Sequence, residues 1–92
     1  MPMIYIPSVL RRFSEHKAQV QLPLEQGTFT QLLARLDDSY PGIKAQICED
    51  SGVIKAYVNV FVNGHEIRCL DGLETVVRGE DEVFIVPAMA GG

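Results

Sequence analysis

The sequence has no tryptophan, only two cysteines and no long apolar run, and each shortage excludes a class of protein. Cys48 and Cys69 cannot build the disulfide framework of a small secreted domain or, alone, hold a structural zinc, so a reducing cytoplasm is the expected compartment. No window approaches the roughly 18 apolar residues of a spanning helix, and the opening MPMIYIPSVLRR lacks a basic segment ahead of a long apolar one. Neither membrane insertion nor export is expected. Basic residues are also scarce: 8 Lys and Arg against 12 Asp and Glu leave a net charge of −4. That balance predicts no nucleic acid and no anionic membrane as partner, and a basic surface on whatever does bind. The 92 residues suffice for one domain and not for two, which excludes a cleft between domains.

What is present reads as a small α+β domain over residues 1–87 followed by a flexible tail, 88–92. Met3 to Ile6 alternates as a strand that Pro7 ends, and Val9, Leu10 and Phe13 suggest one helical turn. Ala18, Val20 and Leu22 alternate with polar residues from Lys17 to Leu22, a second strand expected to pair back on the first. Phe29, Leu32, Leu33, Leu36 and Tyr40 form one stripe at helical spacing, with Thr28 as N-cap and Pro41-Gly42 as stop. Ile43 and Ile47 allow a short second helix. Tyr57 to Val62 alternates again, and Asn63-Gly64 predicts a hairpin into a strand from Glu66 to Leu70. Glu82 to Val86 is short and apolar enough for the middle of a sheet. The order β, β, α, β, β, β predicts one mixed sheet packed on one main helix, with the first and last strands side by side in the centre.

Two features suggest chemistry. The chain ends Pro87-Ala88-Met89-Ala90-Gly91-Gly92, a segment so poor in side chains that it could thread a narrow channel and bring its carboxylate to a partner's reaction centre. The ordinary alternative is a frayed terminus that happens to be small. If Ile4, Ile6, Val58, Val60, Val62, Val83 and Ile85 face the helix, alternation sends Tyr5, Tyr57, Phe61 and Phe84 to the opposite face. That face is either a partner-docking patch or a second small cluster covered by residues 43–56. Other reactive types look structural: Cys69 shares the face of Ile67 in the expected strand and both cysteines are read as small buried residues. His16 and His65 lack the company of further ligands, so no metal site is expected, and Glu80, Asp81 and Glu82 read as a solvated turn.

Ile6-Pro7-Ser8-Val9-Leu10-Arg11, Tyr40-Pro41-Gly42-Ile43, Val58-Asn59-Val60-Phe61-Val62-Asn63, Gly79-Glu80-Asp81-Glu82-Val83 and the Gly-Gly ending together resemble the ubiquitin-like sulfur carriers of the ThiS/MoaD family. The resemblance covers nearly the whole chain and is nearest to the cysteine-biosynthesis carriers. Met89 stands where that family usually has a branched residue, and Cys69 where an aromatic ring is common. The resemblance implies a β-grasp fold and a carrier rather than an enzyme, with no bound cofactor. An ATP-dependent activating enzyme would adenylate the Gly92 carboxylate, and a sulfur donor would displace AMP to leave a thiocarboxylate. The implied acceptor is a pyridoxal-phosphate cysteine synthase, with a zinc metalloprotease to free the product. Alternatives are the small subunit of molybdopterin synthase, a thiazole-pathway carrier, a modifier joined through Gly92 to lysines, and a non-covalent binding module.

Overall fold

Parallel strands joined in one sheet need a long crossover between them, and here nearly the entire chain is that crossover. In the computed structural model, which describes residues 1–87, β1 (Met3–Tyr5) lies parallel to the last strand, β7 (Glu82–Pro87), with Ile4 opposite Val83. On its other side β1 pairs antiparallel with β2 (Gln19–Gln21), and β7 pairs antiparallel with β4 (Val58–Val62), which continues through the Asn63-Gly64 turn into β5 (His65–Glu66). The sheet order is β2-β1-β7-β4-β5. β7 is therefore central, as its apolar composition predicts. Between β1 and β2, Pro7 opens a 3₁₀-helix, Ser8–Phe13, that buries Leu10 and leaves Val9 exposed.

One face of this sheet is covered by α1 (Phe29–Ser39). The helix starts where it does because Thr28 and Gln31 satisfy each other's free backbone amides. Thr28 Oγ1 accepts from the Gln31 N–H at 3.2 Å, and the Thr28 N–H donates to Gln31 Oε1 at 2.9 Å. Phe29, Leu32, Leu33 and Leu36 are buried against Ile4, Ile6, Val58, Val60, Val62, Val83 and Ile85 in one core. After Pro41, Gly42 takes φ +99°, a left-handed conformation suited to glycine, and Asp37 Oδ1 accepts from the Gly42 and Lys44 N–H groups at 3.1 Å each. The short α2 (Ile43–Ile47) follows and packs on α1 and the 3₁₀-helix, placing Ile43 and Ile47 in the same core.

The single expected sheet is joined by a separate ribbon. β3 (Gln26–Thr28) pairs antiparallel with β6 (Val76–Arg78), and Val77 is fully buried between ribbon and helix. The expected strand from Glu66 to Leu70 also stops early. Beyond β5 the chain turns into a 3₁₀-helix, Ile67–Cys69, because the Glu66 carboxylate accepts from the Arg68 N–H at 2.9 Å and Ile67 plunges into the core. This bend leaves Cys69 exposed, correcting its assignment to a buried strand position.

Candidate functional site

The cross-strand register builds the opposite face of the sheet residue by residue. Tyr5 is paired with Gln19 on one side and Phe84 on the other, Phe84 with Phe61, and Phe61 with Glu66. Side chains in register share a face, so Tyr5, Phe84 and Phe61 form an aromatic row flanked by Gln19 and Glu66. The Tyr5 and Phe84 rings stack with centroids 4.3 Å apart and planes 4° from parallel. Each ring of the row is half-buried, so one edge stays available to solvent or to a partner. Val86, opposite Asn59, extends the apolar surface toward the end of β7 and is 43% exposed.

Tyr57 stands apart from that row. It sits in the turn before β4, next to Val58, whose register partner is Pro87, and is 51% exposed with the Lys55 ammonium 5.9 Å from its ring centroid. Three of the four predicted aromatics are thus brought together, and the fourth marks the end of the sheet at which β7 finishes. Residues 43–56 do not cover this face: Ile43, Ile47, Cys48 and Ile54 belong to the core on the helix side. The predicted tail residues Ala88, Met89, Ala90, Gly91 and Gly92 lie outside the described residues.

Polar groups rim the row. The Tyr5 hydroxyl donates to Glu82 Oε2 at 2.8 Å, and this bond, with smaller effects from desolvation and the carboxylate's charge, pushes the phenol pKa above its ordinary value. Arg68 reaches back over β4, donating to Asn59 Oδ1 and the Lys55 carbonyl at 3.0 Å each, with Glu66 Oε1 3.8 Å from its guanidinium. The sequence signals for Glu82 and Arg68 were weak because each gains its place only through register and through the bend at Ile67.

The acidic turn differs from expectation. Glu80 and Glu82 are solvated, but Asp81 is 8% exposed and fully engaged, its two oxygens accepting from Asn63 Nδ2 at 2.8 Å and from the Arg78 N–H at 2.7 Å. Burial is tolerated because both donors are fixed by the adjoining strand ends. Cys48 is buried and free, and desolvation pushes its thiol pKa up against the opposing pull of Lys44 and Lys55, which makes it a poor nucleophile. His16 and His65 are exposed, and among the described residues no three His, Cys, Asp or Glu side chains gather as a metal set. Among those residues no helix is long and apolar enough to cross a membrane.

Comparison with known proteins agrees with this architecture. The ThiS family model matches residues 4–92. A protein of Archaeoglobus fulgidus described as a putative sulfur carrier protein is 37% identical over 79 residues, 86% of this chain and 90% of the relative. The sulfur carrier protein CysO of Mycobacterium tuberculosis is 31% identical over 91 residues, 97% of this chain and 96% of the relative. Among solved structures, a chain of the Amycolatopsis orientalis BexX/CysO complex superposes with a TM-score of 0.91 at 28% identity, covering all of both chains. The sheet crossed by α1 is the expected ubiquitin-like β-grasp, and the chain belongs to the ThiS family as a small sulfur carrier protein rather than an enzyme.

Proposed function

We propose that this carrier takes up sulfur at its C-terminal Gly92 as a thiocarboxylate and delivers it to cysteine synthesis. The observation that carries the reading is the placement of the aromatic row: Phe84 and Val86 lie on β7, the strand from which the chain runs on to Ala88, Met89, Ala90, Gly91 and Gly92. A partner that grips Tyr5, Phe84 and Phe61, with Tyr57 at the end of the sheet, would be within reach of that segment. The 31% identity to CysO across nearly the full chain supports cysteine as the product.

A carboxylate at neutral pH is a weak electrophile, so activation must come first. The Gly92 carboxylate oxygen attacks the α-phosphate of ATP held by an activating enzyme, pyrophosphate leaves, and an acyl adenylate results. Sulfide from a donor then attacks the carbonyl carbon, the bond to AMP breaks, and sulfur replaces one oxygen. The acceptor enzyme, a pyridoxal-phosphate cysteine synthase, supplies the electrophile, and a zinc metalloprotease releases the new cysteine from the tail. All of this belongs in the cytoplasm, and the carrier holds no cofactor of its own; ATP is consumed by its partner.

Intact mass after co-expression with the activating enzyme tests the reading. A gain of about 16 Da, oxygen exchanged for sulfur, is expected. An unchanged mass, or appearance of the chain on lysines of other proteins without that gain, would overturn it.

A further inference from the structure

The hairpin that joins β4 to β5 contains an Asn-Gly pair whose side-chain amide is hydrogen-bonded to Asp81 and Glu82. Asn63 has φ +52° and Gly64 φ +87°, the paired left-handed conformations of a two-residue hairpin turn. Nothing lies within 4 Å of where a Cβ on Gly64 would stand, so the turn is open on that side. The Asn63 side chain is clasped at both ends across to β7: Nδ2 donates to Asp81 Oδ1 at 2.8 Å, and Oδ1 accepts from the Glu82 N–H at 2.9 Å. The Asn63 N–H adds a third bond, to the Glu82 carbonyl at 2.9 Å. Asp81 is in turn fixed by the Arg78 N–H at 2.7 Å.

We propose that Asn63 is a deamidation site that the fold keeps closed through Asp81 and Glu82. When the clasp opens, the Gly64 backbone nitrogen attacks Asn63 Cγ. A Cγ–N bond forms, the Cγ–Nδ2 bond breaks, the proton of the Gly64 nitrogen is lost as Nδ2 gains one, and ammonia departs. Water then opens the resulting succinimide to aspartate or isoaspartate. Either product sets a second carboxylate against that of Asp81 in a partly buried place, and isoaspartate lengthens the backbone of a turn with no spare residue. Damage here loosens the end of β4 that bears Phe61, two residues from Asn63 and paired with Phe84. The clasp thus sets how long the open face keeps its shape.

The reaction is followed by mass in folded protein, in protein unfolded by urea and in the Asp81→Ala variant, all in mildly alkaline buffer. Trypsin releases Ala56–Arg68, which contains both Asn63 and Asn59. Fragment masses show which of the two gains about 1 Da. Asn59 precedes a bulky valine and serves as the slow internal reference. Expected are modification at Asn63 at least about tenfold slower folded than in urea, and a severalfold faster rate in folded Asp81→Ala. If circular dichroism shows Asp81→Ala unfolded, Asp81→Asn replaces it, keeping the size and losing the charge. A folded wild-type rate equal to that in urea, or a folded Asp81 variant no faster than wild type, would overturn the proposal.

Discussion

The ring of Tyr5 lies 4.3 Å from that of Phe84, nearly parallel, across the parallel pairing of β1 with β7. Core aromatics in this chain are represented by Phe29, which is enclosed by aliphatic side chains; the Tyr5–Phe84 pair instead stacks on the face that α1 leaves open. An aromatic pair of this kind contributes about 0.5–1.5 kcal/mol beyond the area it covers. The same rings offer a partner flat apolar surface at small entropic cost, since each has two rotatable side-chain bonds.

Replacing Phe84 with alanine should therefore separate stability from recognition. Folding stability is expected to fall by about 1–2 kcal/mol in urea titration, because the ring is only half-buried. Affinity for the activating enzyme, measured by calorimetry, should fall by at least about 30-fold, equivalent to 2 kcal/mol. A variant that binds normally would remove the row from the docking surface.

The helix and the central strand were legible because their signals are local: the stripe from Phe29 to Leu36 needs only helical period, and Glu82 to Val86 needs only its apolar run. The β3–β6 ribbon joins Gln26 to Arg78, positions far apart in the chain with no alternation to announce them. The bend after Glu66 has no local signal, since Ile67 and Cys69 alternate as a strand would and the Glu66 to Arg68 contact breaks the run. Asp81 differs from expectation for a related reason: three adjacent acids look solvated until Asn63 arrives from a distant part of the chain. Of the candidate site, alternation supplied the shared face of Tyr5, Phe61 and Phe84, whereas the separation of Tyr57 depends on where β4 begins.

The Tyr5–Glu82 bond has a pH signature. The hydrogen bond to Glu82 raises the folded phenol's pKa above its ordinary 10.0, so the protonated form is the one that folding favours. Its contribution is complete below that ordinary value and is lost as pH climbs through the higher folded one. Ultraviolet titration of the phenolate should show Tyr5 ionising above 10.0, and Glu82→Gln should move it back toward that value. An unmoved titration in Glu82→Gln would show that the carboxylate is not the cause.

Thr28 closes the capping box, and its loss leaves an N–H of the first helical turn without a partner. Thr28→Ala should lower stability by about 1 kcal/mol, with Thr28→Ser retaining most of it. Urea midpoints of the two variants decide this, since a cap that contributes nothing would leave both at the wild-type value.

The two thiols should behave oppositely. Cys69 is exposed and should react with a thiol reagent in the native protein, whereas Cys48, 4% exposed and with its thiolate disfavoured by desolvation, should react only on unfolding. Cys48→Ala is expected to cost about 1–2 kcal/mol through lost packing and Cys69→Ala almost nothing. The double variant should still be loaded with sulfur; a folded double variant that is not would move the sulfur site from Gly92 to a cysteine.

Gly91 tests whether the small size of the C-terminal segment matters to the chemistry at Gly92. Among the described residues the core runs from Ile4 to Ile85, and Gly91→Val is expected to leave the melting temperature at the wild-type value. On the proposed chemistry, a β-branched side chain next to the carboxylate adds bulk to the backbone that a channel shaped for glycine would not admit. Extended backbone entering such a channel gains its affinity from hydrogen bonds of N–H and C=O groups, and a valine that holds the walls apart removes several together. ATP–pyrophosphate exchange by the activating enzyme should then fall at least about 100-fold, the consequence of roughly 2.7 kcal/mol of lost productive binding. Normal exchange with Gly91→Val would mean that the activating enzyme reads the sheet face alone and tolerates bulk beside the terminal carboxylate.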